Sequence, residues 1–418
     1  METLATDEIW VEQLAPAQRS LRIAMVTETW PPEVNGVAMT LARLVDGLRG
    51  RNHALQLVRP RQTRQDNGVA EGAWADEGWQ EVLLRGLPIP RYPHLKMGVP
   101  SKRRLVELWT LQRPDLVHIA TEGPLGWSAL QAAQLLKLPV VSDFRTNFHA
   151  YSAHYGIGWL KKPIVGYLRK FHNRTLCTMV PTEALRRQLA AAGFDNLQVV
   201  ARGVDTQQFS PMHRSEALRR TWGVGDGERV VTCVGRLAPE KNLGLLLEAL
   251  AAMRQVDPAL KLVLVGDGPA RGALQQACPD AIFAGQRRGP DLAAHYASAD
   301  LFLFPSETET FGNVVPEAMA SGLAVLAYDL AAAGQLITPG VDGLLAPAGR
   351  RAAFVEQAVQ LARQRGFVQQ LGRQARATAA ALDWERIVQQ VERTYLSAMA
   401  AGPRPQASGR FLPRPRTS

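Results

Sequence analysis

Short aliphatic or β-branched runs alternate with helix-period stretches almost from end to end of this 418-residue chain, and midway the alternation starts afresh. A run that is apolar on both faces must be covered on both faces, and parallel sheets do this by following each strand with a helix. In the first half the runs are 21–27, 54–59, 116–119, 140–144, 178–180 and 197–201, with helical patterns near 40–49, 125–136 and 183–192. In the second half they are 230–235, 261–265, 281–284, 301–304 and 324–327. The pattern predicts an α/β fold of two units, and the length suits two domains at roughly 150 residues each. Between them, 202–227 is polar and Gly-containing and reads as an irregular linker.

The expected organisation is an N-terminal extension (1–20), a first α/β domain (21–203), a second (204–381), a last helix (382–401) that packs back on the first domain, and a disordered basic tail (402–418). A long polar loop, 62–78, interrupts the first domain and is expected to be mobile. Two such units joined in tandem leave a cleft between the carboxyl ends of their sheets, where open α/β folds place ligands.

Charge narrows the partners without choosing one. The chain has 48 Lys+Arg against 38 Asp+Glu, a formal charge of +10, which suits phosphate-bearing ligands, nucleic acid or an acidic membrane face. Arg404, Arg410, Arg414 and Arg416 belong to the tail, so the folded body is less basic than the total. No basic stripe with interleaved aromatics exists outside 159–171, and a nucleic-acid partner is not expected. Cys177, Cys233 and Cys278 are isolated, with no CxxC or His/Cys cluster, so neither zinc nor a disulfide framework is expected and a reducing compartment is the default. The acidic start without a long apolar core predicts no signal peptide, and no stretch reads as a transmembrane helix.

Three strand-to-helix loops carry chemistry. The first, Pro31-Pro32-Glu33-Val34-Asn35-Gly36-Val37, can turn backbone N–H groups toward an anion, although a plain turn reads the same way. In the second, Gly235-Arg236-Leu237-Ala238-Pro239-Glu240-Lys241-Asn242, two cations can converge on a diphosphate. The third runs from Phe304 through Glu309, Thr310, Phe311, Gly312 and Asn313 to Glu317 and Met319. It places two carboxylates, with seven residues between them, around a helix expected to begin near Gly312, able to accept hydrogen bonds from sugar hydroxyls.

With Gly266-Asp267-Gly268-Pro269, these loops resemble those of the retaining, nucleotide-sugar-dependent glycosyltransferases, which are built from two Rossmann-like domains facing a cleft, the GT-B fold. The resemblance spans about residues 21–400. The opening Thr27-Glu28-Thr29-Trp30-Pro31-Pro32, with Asn35-Gly36-Val37, is most similar to the branch of GDP-mannose-dependent alpha-mannosyltransferases and sulfoquinovosyltransferases. It implies that Arg236 and Lys241 bind the donor diphosphate, Glu317 the ribose, and Glu309 with the backbone of Phe311, Gly312 and Asn313 the sugar and diphosphate. Asn35, Gly36, Gly235 and Gly266 complete the implied donor site. Relatives commonly carry a histidine where this chain has Arg145, which cannot act as a general base, and His149 is the nearest substitute. The candidate catalytic residues are therefore Glu309, Arg236, Lys241, His149 and Arg145. His118, ending a strand, reads either as a cleft residue or as a core histidine.

The implied reaction is transfer of a hexose, mannose from GDP-mannose foremost, to a hydroxyl of a lipid or saccharide acceptor, with no cofactor and no metal expected. An epimerase on the same fold is the enzymatic alternative, and a basic nucleic-acid-binding protein the non-enzymatic one. Residues 158–171 mix aromatic and aliphatic side chains with four cations, the composition of an interfacial helix. A helix packed on its own sheet with a basic outer face is the commoner source of that composition. Peripheral membrane contact there would accompany a cytoplasmic location at the inner membrane face.

Overall fold

The computed structural model describes residues 20–33, 36–63, 66, 78–89, 92–145 and 161–402. The first domain contains strands β1 (Arg22–Val26), β2 (Ala54–Pro60), β3 (Trp79–Leu84), β4 (Gly86–Ile89), β5 (Tyr92–Gly98), β6 (Leu116–Ile119), β7 (Val140–Asp143), β8 (Cys177–Val180) and β9 (Leu197–Val199). Its described helices are α1 (Gly36–Gly50), α2 (Lys102–Leu111), α3 (Pro124–Leu135), α4 (Lys161–His172) and α5 (Glu183–Ala191). Seven strands form a parallel sheet in the order β3-β2-β1-β6-β7-β8-β9, while β4 and β5 pair as an antiparallel hairpin. The second domain has strands β10 (Val230–Val234), β11 (Lys261–Val265), β12 (Ile282–Gly285), β13 (Leu301–Phe304), β14 (Ala324–Tyr328) and β15 (Leu344–Ala346). Its sheet is parallel in the order β12-β11-β10-β13-β14-β15. Its helices are α6 (Glu216–Thr221), α7 (Leu243–Arg254), α8 (Arg271–Ala277), α9 (Gly289–Ala297), α10 (Val314–Ala320), α11 (Ala331–Leu336), α12 (Arg351–Arg363) and α13 (Arg365–Ala380).

The central strands β6, β10 and β13 are buried along their whole length, as runs covered on both faces must be. In each sheet the chain builds outward on one side, then crosses to begin the other. The reversal falls between β1 and β6 in the first sheet and between β10 and β13 in the second. Loops leaving these strands gather at the switch points, where a crevice opens beyond the carboxyl ends. The three chemistry-bearing loops are the ones that follow β1, β10 and β13.

A last helix, α14 (Trp384–Ala401), follows the second domain but packs on the first. Asp383 caps it, accepting the Glu385 N–H at 3.2 Å. Its Ile387, Val388, Val391 and Tyr395 meet Leu41, Leu44, Val45 and Leu48 of α1, residues whose three- and four-residue spacing makes one apolar stripe. At Gly47 the helices come so close that a Cβ would lie 2.4 Å from Val388 Cγ2. Arg51 closes the seam with Glu392 at 2.7 Å and Glu385 at 2.6 Å.

The segment 202–227 departs from the irregular linker expected of it. It holds a short 3-10 turn (Pro211–His213) and α6, capped by the Ser215 hydroxyl. Phe209, Trp222 and Val224 are buried in the second domain's core. Polar residues dominate the segment, but these three side chains are enough to anchor it. The loop read as mobile lies largely outside the described residues, as does the tail from 403.

Candidate active site

Gly235, directly after β10, and Gly266, directly after β11, let two loops touch. Gly235 donates to Val265 O at 2.9 Å, and Leu237 donates to Asp267 O at 3.0 Å. Gly266 adopts φ +136°, and a Cβ there would fall 1.9 Å from Gly235 O. Only glycine permits that conformation and that approach together. On the loop so fixed, Arg236 is exposed while Lys241 turns inward, half-buried, at the end of a short 3-10 turn.

Lys241 forms an ion pair with Glu309 and lies 5.5 Å from the Phe304 ring centroid. Glu309 also accepts the Ser306 hydroxyl at 2.8 Å. Two side chains that sequence reasoning gave to separate duties, diphosphate and sugar, thus hold each other. Gly312 takes φ +86°, and α10 starts at Val314, two residues later than expected, with no side-chain cap from Asn313. Glu317 does not join Glu309. It faces an interdomain pocket of about 370 Å³ lined also by Pro31, Thr40, Arg288, Asn313 and Trp384. Burial pushes its carboxyl up to about 7, against the opposing hydrogen bond from Tyr296 Oη at 2.9 Å.

Across the cleft, Gly36 opens α1, and a Cβ on it would lie 3.4 Å from Asn313 Nδ2. Asn313 Nδ2 is also 3.4 Å from Thr40 Oγ1. The loops after β1 and β13 therefore meet, one from each domain. Asn35 and His149 lie outside the described residues. In the loop after β1, Glu28 accepts the Leu125 N–H at 2.9 Å, and burial pushes its carboxyl up to about 7.

Arg145 Nη2 is 2.5 Å from Asp143 Oδ2, so this arginine is ion-paired. Asp143 is also 3.0 Å from His118 Nε2, and Tyr395 Oη of α14 is 2.7 Å from His118 Nδ1. Burial alone would raise the Asp143 carboxyl, but the charges of Arg145 and His118 outweigh it and hold it well below the usual carboxylate range. His118 is fully buried and bonded, which settles its two readings in favour of the core histidine.

Sequence reasoning missed Arg202, which it placed in the linker. This buried guanidinium donates to Asn313 Oδ1 at 3.2 Å and stacks 5.4 Å over the Phe311 ring. Burial, then the neighbouring Arg145, pushes it down to about 9. The signal available was a charge directly after the apolar Val199-Val200-Ala201 end of a strand, at the crossing between domains. Asp143 was hidden inside a run read only as a strand, and Tyr395 in a helix read only as packing.

In α4 two apolar side chains turn inward, while Tyr167 stays 43% exposed. Leu168 packs with Phe144 and Val180, and Phe171 is fully buried. Lys162, Arg169 and Lys170 are exposed. The described part of the stretch is thus a helix packed on its own domain with a basic outer face, the commoner of its two readings, while 158–160 lie outside the described residues. Among the described residues no helix is long and apolar enough to cross a membrane, and no group of three or more His, Cys, Asp or Glu could hold a metal ion.

Two parallel sheets with facing switch points, a pocket between them, and cations and carboxylates at its mouth define a two-domain α/β transferase scaffold. Residues 34–208 match Glycosyltransferase Family 4 and residues 228–364 match Glycosyl transferases group 1. A GDP-mannose-dependent alpha-mannosyltransferase of Mycobacterium tuberculosis is 38% identical over 329 residues, 79% of this chain and 84% of that protein. The alpha-monoglucosyldiacylglycerol synthase of Streptococcus pneumoniae is 28% identical over 338 residues, 78% of this chain and 75% of that one. Among solved structures, the sucrose-phosphate synthase of Thermosynechococcus elongatus, 20% identical, has a TM-score of 0.76 over 91% of this chain and 99% of its own. The chain belongs to the group 1 glycosyltransferases and has their GT-B fold.

Proposed function

We propose that this glycosyltransferase takes mannose from GDP-mannose and passes it, with retention of configuration, to a hydroxyl of a lipid or saccharide acceptor. The carrying observation is the meeting of the loops after β1 and β13 at Gly36 and Asn313, which puts an acceptor-side loop against the loop bearing Glu309. The mannosyl donor is taken from the similarity to the mycobacterial enzyme. In this reading Arg236 and Lys241 stabilise charge growing on the departing diphosphate, so the chain's own cations do the work assigned to them without a metal. Glu317, in the pocket, accepts the ribose hydroxyls, and Glu309 orients the hexose. The acceptor hydroxyl then attacks the sugar face from which the diphosphate leaves, its proton passing to a phosphate oxygen.

Incubation with GDP-mannose, UDP-glucose or UDP-galactose, with and without a membrane lipid extract, tests the reading. The expected result is GDP release that depends on the extract, with the α-anomer in the product by NMR. Conversion of the donor to an epimer in the absence of acceptor would transfer the assignment to the rival epimerase. The exposed cations of α4 support a peripheral, electrostatic contact with an acidic membrane face, on the cytoplasmic side where nucleotide sugars are made. Co-sedimentation with phosphatidylglycerol vesicles should be lost between 50 and 500 mM salt, roughly as expected when the Debye length shrinks to a few Å; salt-independent binding would exclude this surface.

A further inference from the structure

Arg145 and Arg202 line one small cavity of about 30 Å³ between the first sheet and α14. Like charges at such range repel, and burial deprives them of the water that would screen it. The fold nevertheless holds both. Arg145 is fixed by Asp143, bonded through Nε and Nη2, and Asp143 is braced in turn by His118 and Tyr395. Arg202 is fixed on the other side by Asn313 and the Phe311 ring. Its second amino nitrogen, Nη2, is buried without a hydrogen-bond partner. Asp143, the carboxylate on Arg145 among the described residues, is shared with His118, and Glu309, which also acts on Arg202, is engaged by Lys241. Among the described residues the two guanidiniums are thus held together with too few anions to satisfy them, and a buried N–H donor is left over.

We propose that Arg145 and Arg202 form a binding site for a phosphoryl oxyanion, with Arg202 Nη2 as the donor waiting for it. A guanidinium presents its N–H groups in a planar fork that matches two phosphoryl oxygens, which an ammonium or an imidazole at these positions would not. The oxyanion reaches the pair from one of two sources. The donor's diphosphate lies across the cleft beside Asn313 in the reading above, on which this source rests. An anionic acceptor headgroup is the other, and does not depend on the donor's identity.

Titration calorimetry on the full chain separates these, using pyrophosphate, GDP, UDP, sn-glycerol 3-phosphate and, as a phosphate-free control, guanosine. In Arg202→Gln and Arg145→Gln the affinity for at least one phosphate probe should fall ten-fold or more, with guanosine unaffected and partial recovery in Arg202→Lys. Loss confined to pyrophosphate, GDP and UDP assigns the pair to the donor; loss confined to glycerol phosphate assigns it to the acceptor headgroup. Unchanged affinities in both variants, or a wild type that binds none of the phosphates, overturns the site. Melting curves identify a variant that fails to fold, and Arg202→Lys then carries the comparison against Arg145→Gln. Failure of the GDP-mannose reading reports separately, as a wild type that prefers UDP to GDP, and leaves the pyrophosphate comparison intact.

Discussion

Lys241 and Glu309 hold each other in the free protein, so a donor diphosphate has to exchange into an existing ion pair. Lys241→Ala should therefore cost about 2–4 kcal/mol of transition-state stabilisation, as loss of a preorganised charge does. Glu309→Gln should lower kcat, because contacts beside the reacting carbon strengthen as the ring gains positive charge, whereas Glu317→Gln should raise KM with little change in kcat. Steady-state kinetics normalised to folded protein decide this, and a kcat loss confined to Glu317→Gln would exchange the two roles. Glu28 makes a prediction about pH. Burial, opposed by the Leu125 N–H and aided by Glu122, pushes it up to about 7 from 4.5. The folded state therefore binds this proton more tightly than the unfolded chain does. Its contribution is complete below about pH 4.5 and is lost as pH rises to about 7, on the order of 3 kcal/mol at most. Glu317 has the same sign. Glu28→Gln should flatten the fall in Tm between pH 5 and 8, and an unaltered slope would assign the titration to another group. At this scale the sequence revealed motif residues by their type and neighbours, but not their partners. Nothing in the spacing of Lys241 and Glu309 said that they would touch, and Arg202 stood outside every motif.

Among the elements, α14 joins structure to site. Tyr395→Phe removes the hydroxyl at His118 Nδ1, leaving a buried ring nitrogen unpaired, which costs about 1–3 kcal/mol. Were Tyr395 only packing, stability alone would change. As a positioning residue it should also weaken pyrophosphate binding several-fold through Arg145, with Arg145→Gln abolishing the difference between Tyr and Phe. The elements most legible in the sequence were those buried on both faces, where a continuous apolar run leaves little alternative: 116–119, 261–265 and 301–304 coincide with β6, β11 and β13. The β4–β5 hairpin was not read, because Pro88 and Pro93 mark breaks in a strand pattern, yet it is a two-stranded ribbon outside the main sheet where missing N–H donors are tolerated. β3 was missed for another reason: only Leu84 of its six residues is buried, so it lacks the apolar signature of its neighbours.

The whole molecule is two sheets held across the cleft by polar links such as Arg43–Asp205 at 2.6 Å, Arg202–Asn313 at 3.2 Å and Glu183 N–Gln335 Oε1 at 3.2 Å. Links of this kind reorganise more readily than a shared apolar core does. Saturating GDP-mannose should reduce the radius of gyration in small-angle scattering as the phosphate-binding loops are drawn toward Arg145. An unchanged value would mean that the cleft already has its working width. Repetition of the βα rhythm made this bipartite plan readable in the sequence, since each half repeats the same order of strands. The return of the last helix to the first half has a consequence during synthesis. When the ribosome has completed β9, the stripe Leu41, Leu44, Val45 and Leu48 still lacks its cover, and at ~5–20 residues per second the covering residues emerge on the order of ten seconds or more later. Throughout that interval the nascent first domain displays a surface that a trigger-type chaperone would hold, and a chain released early keeps it permanently.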